Sequence, residues 1–229
     1  DSGSGPQSYA TTGSLVVTPS VTTNYLFSAV NVQGTTNKTV TITLTPKPDT
    51  RDSLWQWSIP LISAGVSSET NDYPRAFLYI PPGVTTVRGV IIGQHNMLEE
   101  PILEHPTVRQ ALADTGMAAI WVSPAFDGTF NFTANPNAPV VFQNMMDGLA
   151  TESGFPELSK TPVVWFGHSA MANAPYHFAA WDLQTNGANN RRCAAAISIK
   201  GWYPGYSTDP DNPKPSYANS DLAGVPLMY

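Results

Sequence analysis

Charge is the scarcest commodity in this sequence. Asp, Glu, Lys and Arg make up only 12% of the 229 residues, about half of the quarter usual in soluble domains. The net charge is −6, and Lys and Arg are nowhere gathered into a stripe, so nucleic acid is not expected as a partner. Cysteine is nearly missing: Cys193 is the only one, which excludes an internal disulfide framework. It opens the run Cys193-Ala194-Ala195-Ala196-Ile197 and reads as a buried structural thiol at the start of a strand. Apolar runs are short and interrupted, so no membrane span is expected. Asp1 is not followed by a signal-peptide pattern. No cofactor or metal is expected.

What is there is apolar residue enough for a core, 41% of the chain. With so little charge, the surface falls to Ser, Thr, Asn and Gln. That composition is common in secreted proteins working among polysaccharides, and the expected location is extracellular, in a bacterium.

Two blocks follow one another. Residues 15–17, 24–30 and 39–44 cluster or alternate as strands, separated by turn residues at Pro19-Ser20 and Gln33-Gly34-Thr35. The stiff Pro46-Lys47-Pro48-Asp49 linker follows. From about residue 54 strands and helices alternate. Strand signals lie at 54–61, 73–83, 87–92, 117–124, 163–166, 193–200 and 224–229, and helix signals at 106–113, 140–153 and 175–182. The alternation predicts a doubly wound, mainly parallel α/β sheet. The long aperiodic loop at 125–138 carries Phe126, Phe130 and Phe132, which either line a pocket or pin the loop down.

The second block is organised around Val163-Val164-Trp165-Phe166-Gly167-His168-Ser169-Ala170-Met171. Four apolar residues read as a buried strand, Gly167 breaks it, and small helix-forming residues follow. A serine at such a turn stands above the sheet edge, in front of the free N–H groups of a helix start. The plain alternative is a serine capping an ordinary helix.

This stretch resembles the nucleophile elbow of the α/β-hydrolase superfamily, with Ser169 as the nucleophile. Met171 departs from the usual G-x-S-x-G by replacing the last glycine. The resemblance implies oxyanion donors at Ala170 N–H and, after the central strand, at Asn96 or Met97 N–H in Gly93-Gln94-His95-Asn96-Met97. His95, His168, Phe126, Trp202 and Tyr203 are possible substrate contacts. A strand ending in Tyr79-Ile80-Pro81-Pro82-Gly83 is similar to the second strand of many secreted esterases.

The domain reading is a partial immunoglobulin-like or fibronectin-like β module at 1–48, then an α/β-hydrolase domain at 49–229 lacking its final strands. The family order is Ser, then Asp or Glu, then His. The four histidines, at 95, 105, 168 and 177, all precede the expected position of the base. The acid and the histidine are therefore expected beyond Tyr229, and the chain is expected to be truncated at both ends. The implied function is serine ester hydrolysis on a polysaccharide or another ester. A non-catalytic carbohydrate-binding or adhesion protein is the competing expectation.

Overall fold

The computed structural model describes residues 22–43, 53–125, 129–200 and 222–228, with scattered positions between 8 and 19. The chain divides into two compact units, Asp1–Lys47 and Pro48–Tyr229.

In the first unit β1 (Thr23–Asn31) pairs antiparallel with β2 (Gly34–Ile42). Asn31 closes the two-residue turn, its Oδ1 accepting the N–H groups of Gln33 at 2.9 Å and Gly34 at 3.1 Å. Val16 and Val17, expected in a strand, lie outside any strand, while Leu15 falls outside the described residues. Among the described residues this unit is a hairpin, and no sandwich is seen.

Among the described residues the second unit has seven strands: β3 (Trp57–Pro60), β4 (Arg75–Tyr79), β5 (Gly89–Gln94), β6 (Met117–Ser123), β7 (Val163–His168), β8 (Cys193–Ile199) and β9 (Leu227–Met228). Their spatial order is β3-β4-β6-β5-β7-β8-β9. β4 runs antiparallel to both neighbours, and every pair from β6 to β9 is parallel. This is the mainly parallel sheet, with helices on both faces, that the alternation predicted.

Among the described residues four helices cover it: α1 (Glu99–Glu104), α2 (Pro106–Thr115), α3 (Ala138–Ser153) and α4 (Ala174–Asn186). Local chemistry sets their ends. Pro106 opens α2, His105 Nδ1 accepts the Thr107 N–H at 3.2 Å, and Gly116 closes the helix at φ +67°. Helix α1, which no periodic signal announced, is only six residues long.

The two faces of the sheet are distinct. On one, Leu103 and Leu112 of α1 and α2 pack with Ala119, Ile91 and Trp121. On the other, α3 and α4 bury Phe142, Met145, Tyr176 and Phe178 against Val90, Ile92 and Trp165. Phe130 and Phe132 are 1% and 8% exposed, stack on each other and meet Trp165 edge-to-face, so they pin the loop after β6.

The topology points to one crevice. β5 and β7 are neighbours, but the chain leaves β5 toward α1 on one face and leaves β7 toward α4 on the other. The loops after these strands therefore part at their carboxyl ends, where open α/β sheets bind ligands.

Candidate active site

Strand β7 ends with His168 fully extended, at φ −123° and ψ 143°. The next residue, Ser169, has φ +51°, a left-handed conformation costing a non-glycine residue about 1–2 kcal/mol. One tight turn, Ser169–Met171, then leads into α4. Gly167 permits the tightness: a Cβ there would overlap the Met171 carbonyl oxygen and lie 2.8 Å from the Met171 carbonyl carbon and 3.2 Å from Ala172 Cα.

Ser169 and Ala170 are exposed. Ser169 caps no helix. The residue preceding the tight turn is His168, the one preceding α4 is Asn173, and neither helix start has a side-chain cap. The plain alternative of a capping serine is thereby removed. Ala170 N–H donates to no described residue.

The loop after β5 meets this turn. His95 N–H donates to Val122 O at 2.6 Å, anchoring the loop's start on β6. Asn96 Nδ2 donates to His168 O at 2.6 Å. Glu99, the first residue of α1, is 1% exposed. Its Oε1 accepts the His168 N–H at 2.8 Å, and its Oε2 accepts the N–H groups of Met97 and Leu98, each at 3.1 Å.

This geometry divides the expected donors. Met97 N–H is held by Glu99, so Met97 is not an open donor in this arrangement. Asn96 N–H, like Ala170 N–H, has no acceptor among the described residues. Glu99 itself gave no signal in the sequence. Leu98-Glu99-Glu100-Pro101 reads as a solvated loop, and only the fold shows one of its two carboxylates buried.

None of the four histidines is hydrogen-bonded to Ser169. His95 is half-buried with its ring edge-on to Trp121, centroids 6.1 Å apart. His105 caps α2. His168 is buried and its Nδ1 has no partner among the described residues. His177 in α4 lies 2.5 Å from Thr133 Oγ1 through Nδ1, and burial pushes its pKa down to about 4. Phe126, Trp202 and Tyr203 lie outside the described residues. Cys193 is a buried thiol, pushed up to about 12 by desolvation and then by Asp182.

A recess of about 370 Å³ lies between α3 and α4, lined by Phe142, Trp181 and Arg192 among others, and no residue of the Ser169 turn borders it. Among the described residues no three His, Cys, Asp or Glu side chains are grouped to hold a metal ion, and no helix is long and apolar enough to cross a membrane.

No protein-family model matches the chain, and no curated protein matches it in sequence. Solved structures do resemble it. An acetyl xylan esterase from Aspergillus awamori is 14% identical with a TM-score of 0.41, the match covering 62% of this chain and 51% of that one. A poly(3-hydroxybutyrate) depolymerase from Bordetella parapertussis is 15% identical with a TM-score of 0.45, covering 67% and 58%. An S-formylglutathione hydrolase from Staphylococcus aureus is 13% identical with a TM-score of 0.42, covering 65% and 58%. The chain thus spans between 51% and 58% of the length of these three structures.

Proposed function

We propose that this chain carries the nucleophile and the oxyanion site of a serine ester hydrolase. The observation that carries the reading is Ser169: exposed, uncapping and held at φ +51° where a buried strand turns into a helix. Strain of this kind persists only where the surroundings impose it, and it gathers at sites that do chemistry. In the proposed reaction Ser169 Oγ adds to the ester carbonyl carbon. The alcohol leaves with a proton, and water releases the acyl group from the serine. Ala170 N–H and Asn96 N–H hold the oxyanion. In the family order the base and its supporting acid follow Ser169, and none of the four histidines is hydrogen-bonded to it.

The substrate class we favour is an ester on a polysaccharide, such as an acetyl or feruloyl group, hydrolysed outside the cell. The ester rests on analogy with the family that the elbow resembles, and the polysaccharide setting on the scarcity of charge in a chain rich in neutral polar residues.

The test is turnover of p-nitrophenyl acetate and acetylated polysaccharide by the full-length protein. Ser169→Ala is expected to lower kcat by on the order of 10⁴–10⁶-fold with the fold intact by circular dichroism. An unchanged rate in that variant overturns the assignment. Polysaccharide binding without turnover in the parent points instead to the binding-protein reading.

A further inference from the structure

Among the described residues two carboxylates are fully buried, Glu99 and Asp182. Burying a carboxylate costs several kcal/mol unless hydrogen bonds replace its water. At Glu99 three backbone N–H groups do so, and they come from two loops that would otherwise part company. The loop after β5 supplies Met97 and Leu98, and the end of β7 supplies His168.

The consequence for Ser169 is specific. The N–H of His168 is held by Glu99 Oε1, and its C=O by Asn96 Nδ2. The residue before the serine is thus gripped on both sides by the loop that carries Asn96 N–H. Met97 and Leu98, the neighbouring donors, are turned onto Glu99 Oε2 and withdrawn. Room for the carboxylate comes from β5: a Cβ on Gly93 would lie 3.3 Å from Glu99 Cβ and 3.0 Å from Leu103 Cδ1.

We propose that Glu99 is the positioning residue of the Ser169 site. Its carboxylate ties the loop after β5 to the turn after β7, leaving Asn96 N–H and Ala170 N–H as the pair open to an oxyanion. This rests on the reading of Ser169 as the nucleophile. Glu99 takes no part in bond making; it fixes the donors before substrate arrives, which is where oxyanion stabilisation gains its strength.

The experiment compares kcat, KM and Tm for p-nitrophenyl acetate hydrolysis by the full-length protein and four variants. Glu99→Gln sets an amide N–H against at least one backbone N–H. It is expected to lower kcat by about 10²–10³-fold, the usual effect of losing one oxyanion donor, with KM within about threefold. Asp182→Asn makes the same chemical change at the other buried carboxylate. It is expected to lower Tm while leaving kcat within about twofold, because Asp182 touches neither loop. Asn96→Ala removes only the second grip on His168 and carries the test if Glu99→Gln does not fold. Its expected loss is about tenfold in kcat at unchanged KM. A folded Glu99→Gln or Asn96→Ala with parental kcat, beside an inactive Ser169→Ala, overturns the positioning role alone. Equal losses of kcat and Tm in the Glu99 and Asp182 variants also overturn it. An active Ser169→Ala overturns the nucleophile beneath it.

Discussion

Glu99 and Asp182 are the same device used at opposite ends of the parallel strands. Asp182 Oδ2 accepts the N–H of Cys193, the first residue of β8, at 2.7 Å, and its Oδ1 accepts Asn186 Nδ2 at 2.8 Å. Both of its oxygens are hydrogen-bonded. Nearby Arg192 donates from Nε to Thr161 O at 3.3 Å, from one terminal nitrogen to Gln143 Oε1 at 3.1 Å, and lies over the Phe142 ring. The Glu99 end is different. Ser169 sits in a left-handed conformation, and two buried polar atoms, His168 Nδ1 and Gln94 Oε1, have no partner among the described residues. One carboxylate closes a helix-to-strand connection with both oxygens bonded. The other holds together a place where strain and unmet hydrogen bonds are tolerated, as at sites kept for function.

The largest expected effect that sharpens this contrast is at glycine. Gly167→Ala drives a methyl group into the Met171 backbone, which cannot move without undoing the turn. A loss of about 3 kcal/mol or more is expected, read as a collapse of Tm. Gly89→Ala, at the other end of the neighbouring strand, meets the flexible Met117 Cε at 3.3 Å and Pro162 O at 3.4 Å. Its expected loss is about 1 kcal/mol. Equal losses at the two glycines break the comparison.

The next effect depends on pH. His177 is buried at the start of α4 with its pKa lowered from 6.5 to about 4 by desolvation. Because the folded state disfavours the proton, this stability is fully present above pH 6.5, is lost as pH falls toward 4, and changes no further below that. The loss is up to about 3 kcal/mol. Urea titrations of the parent and His177→Gln at pH 7.5 and 4.5 check it: the variant is expected to show the flatter profile, and parallel profiles refute it.

The smallest effect is relief of strain. Ser169→Gly frees a residue held at φ +51° and is expected to gain about 1 kcal/mol, partly offset by glycine's extra freedom when unfolded. A Tm rise of about 1–3 °C by calorimetry is the expected result. A fall means that Ser169 is not strained by its surroundings.

The sheet was largely legible because its signal is periodic. Val163 to Phe166 is an apolar run, Val87 to Ile92 is one interrupted only by Arg88 and Gly89, and Gly116 and Gly154 stop helices where glycine usually does. Ser169 was legible because a strand, a glycine and small residues in that order leave few other turns. The remainder was written in contacts between distant residues. Glu99 reaches His168 across 69 positions of chain, and nothing local distinguishes it from Glu100. The expected donor Met97 was displaced by that same contact. Val16 and Val17 lie outside any strand, since a short apolar run does not make a strand without a partner to receive it.

The crossing at Gly167 has a consequence for how relatives of this chain are found. Helix and strand approach each other through the carbonyl of Met171, a group that every amino acid carries, so the demand for glycine falls on 167 and leaves the side chain at 171 free to vary. A search that insists on glycine two places after the serine would pass over such proteins. One that insists on glycine two places before it, with an acidic residue about seventy positions upstream, would retrieve them.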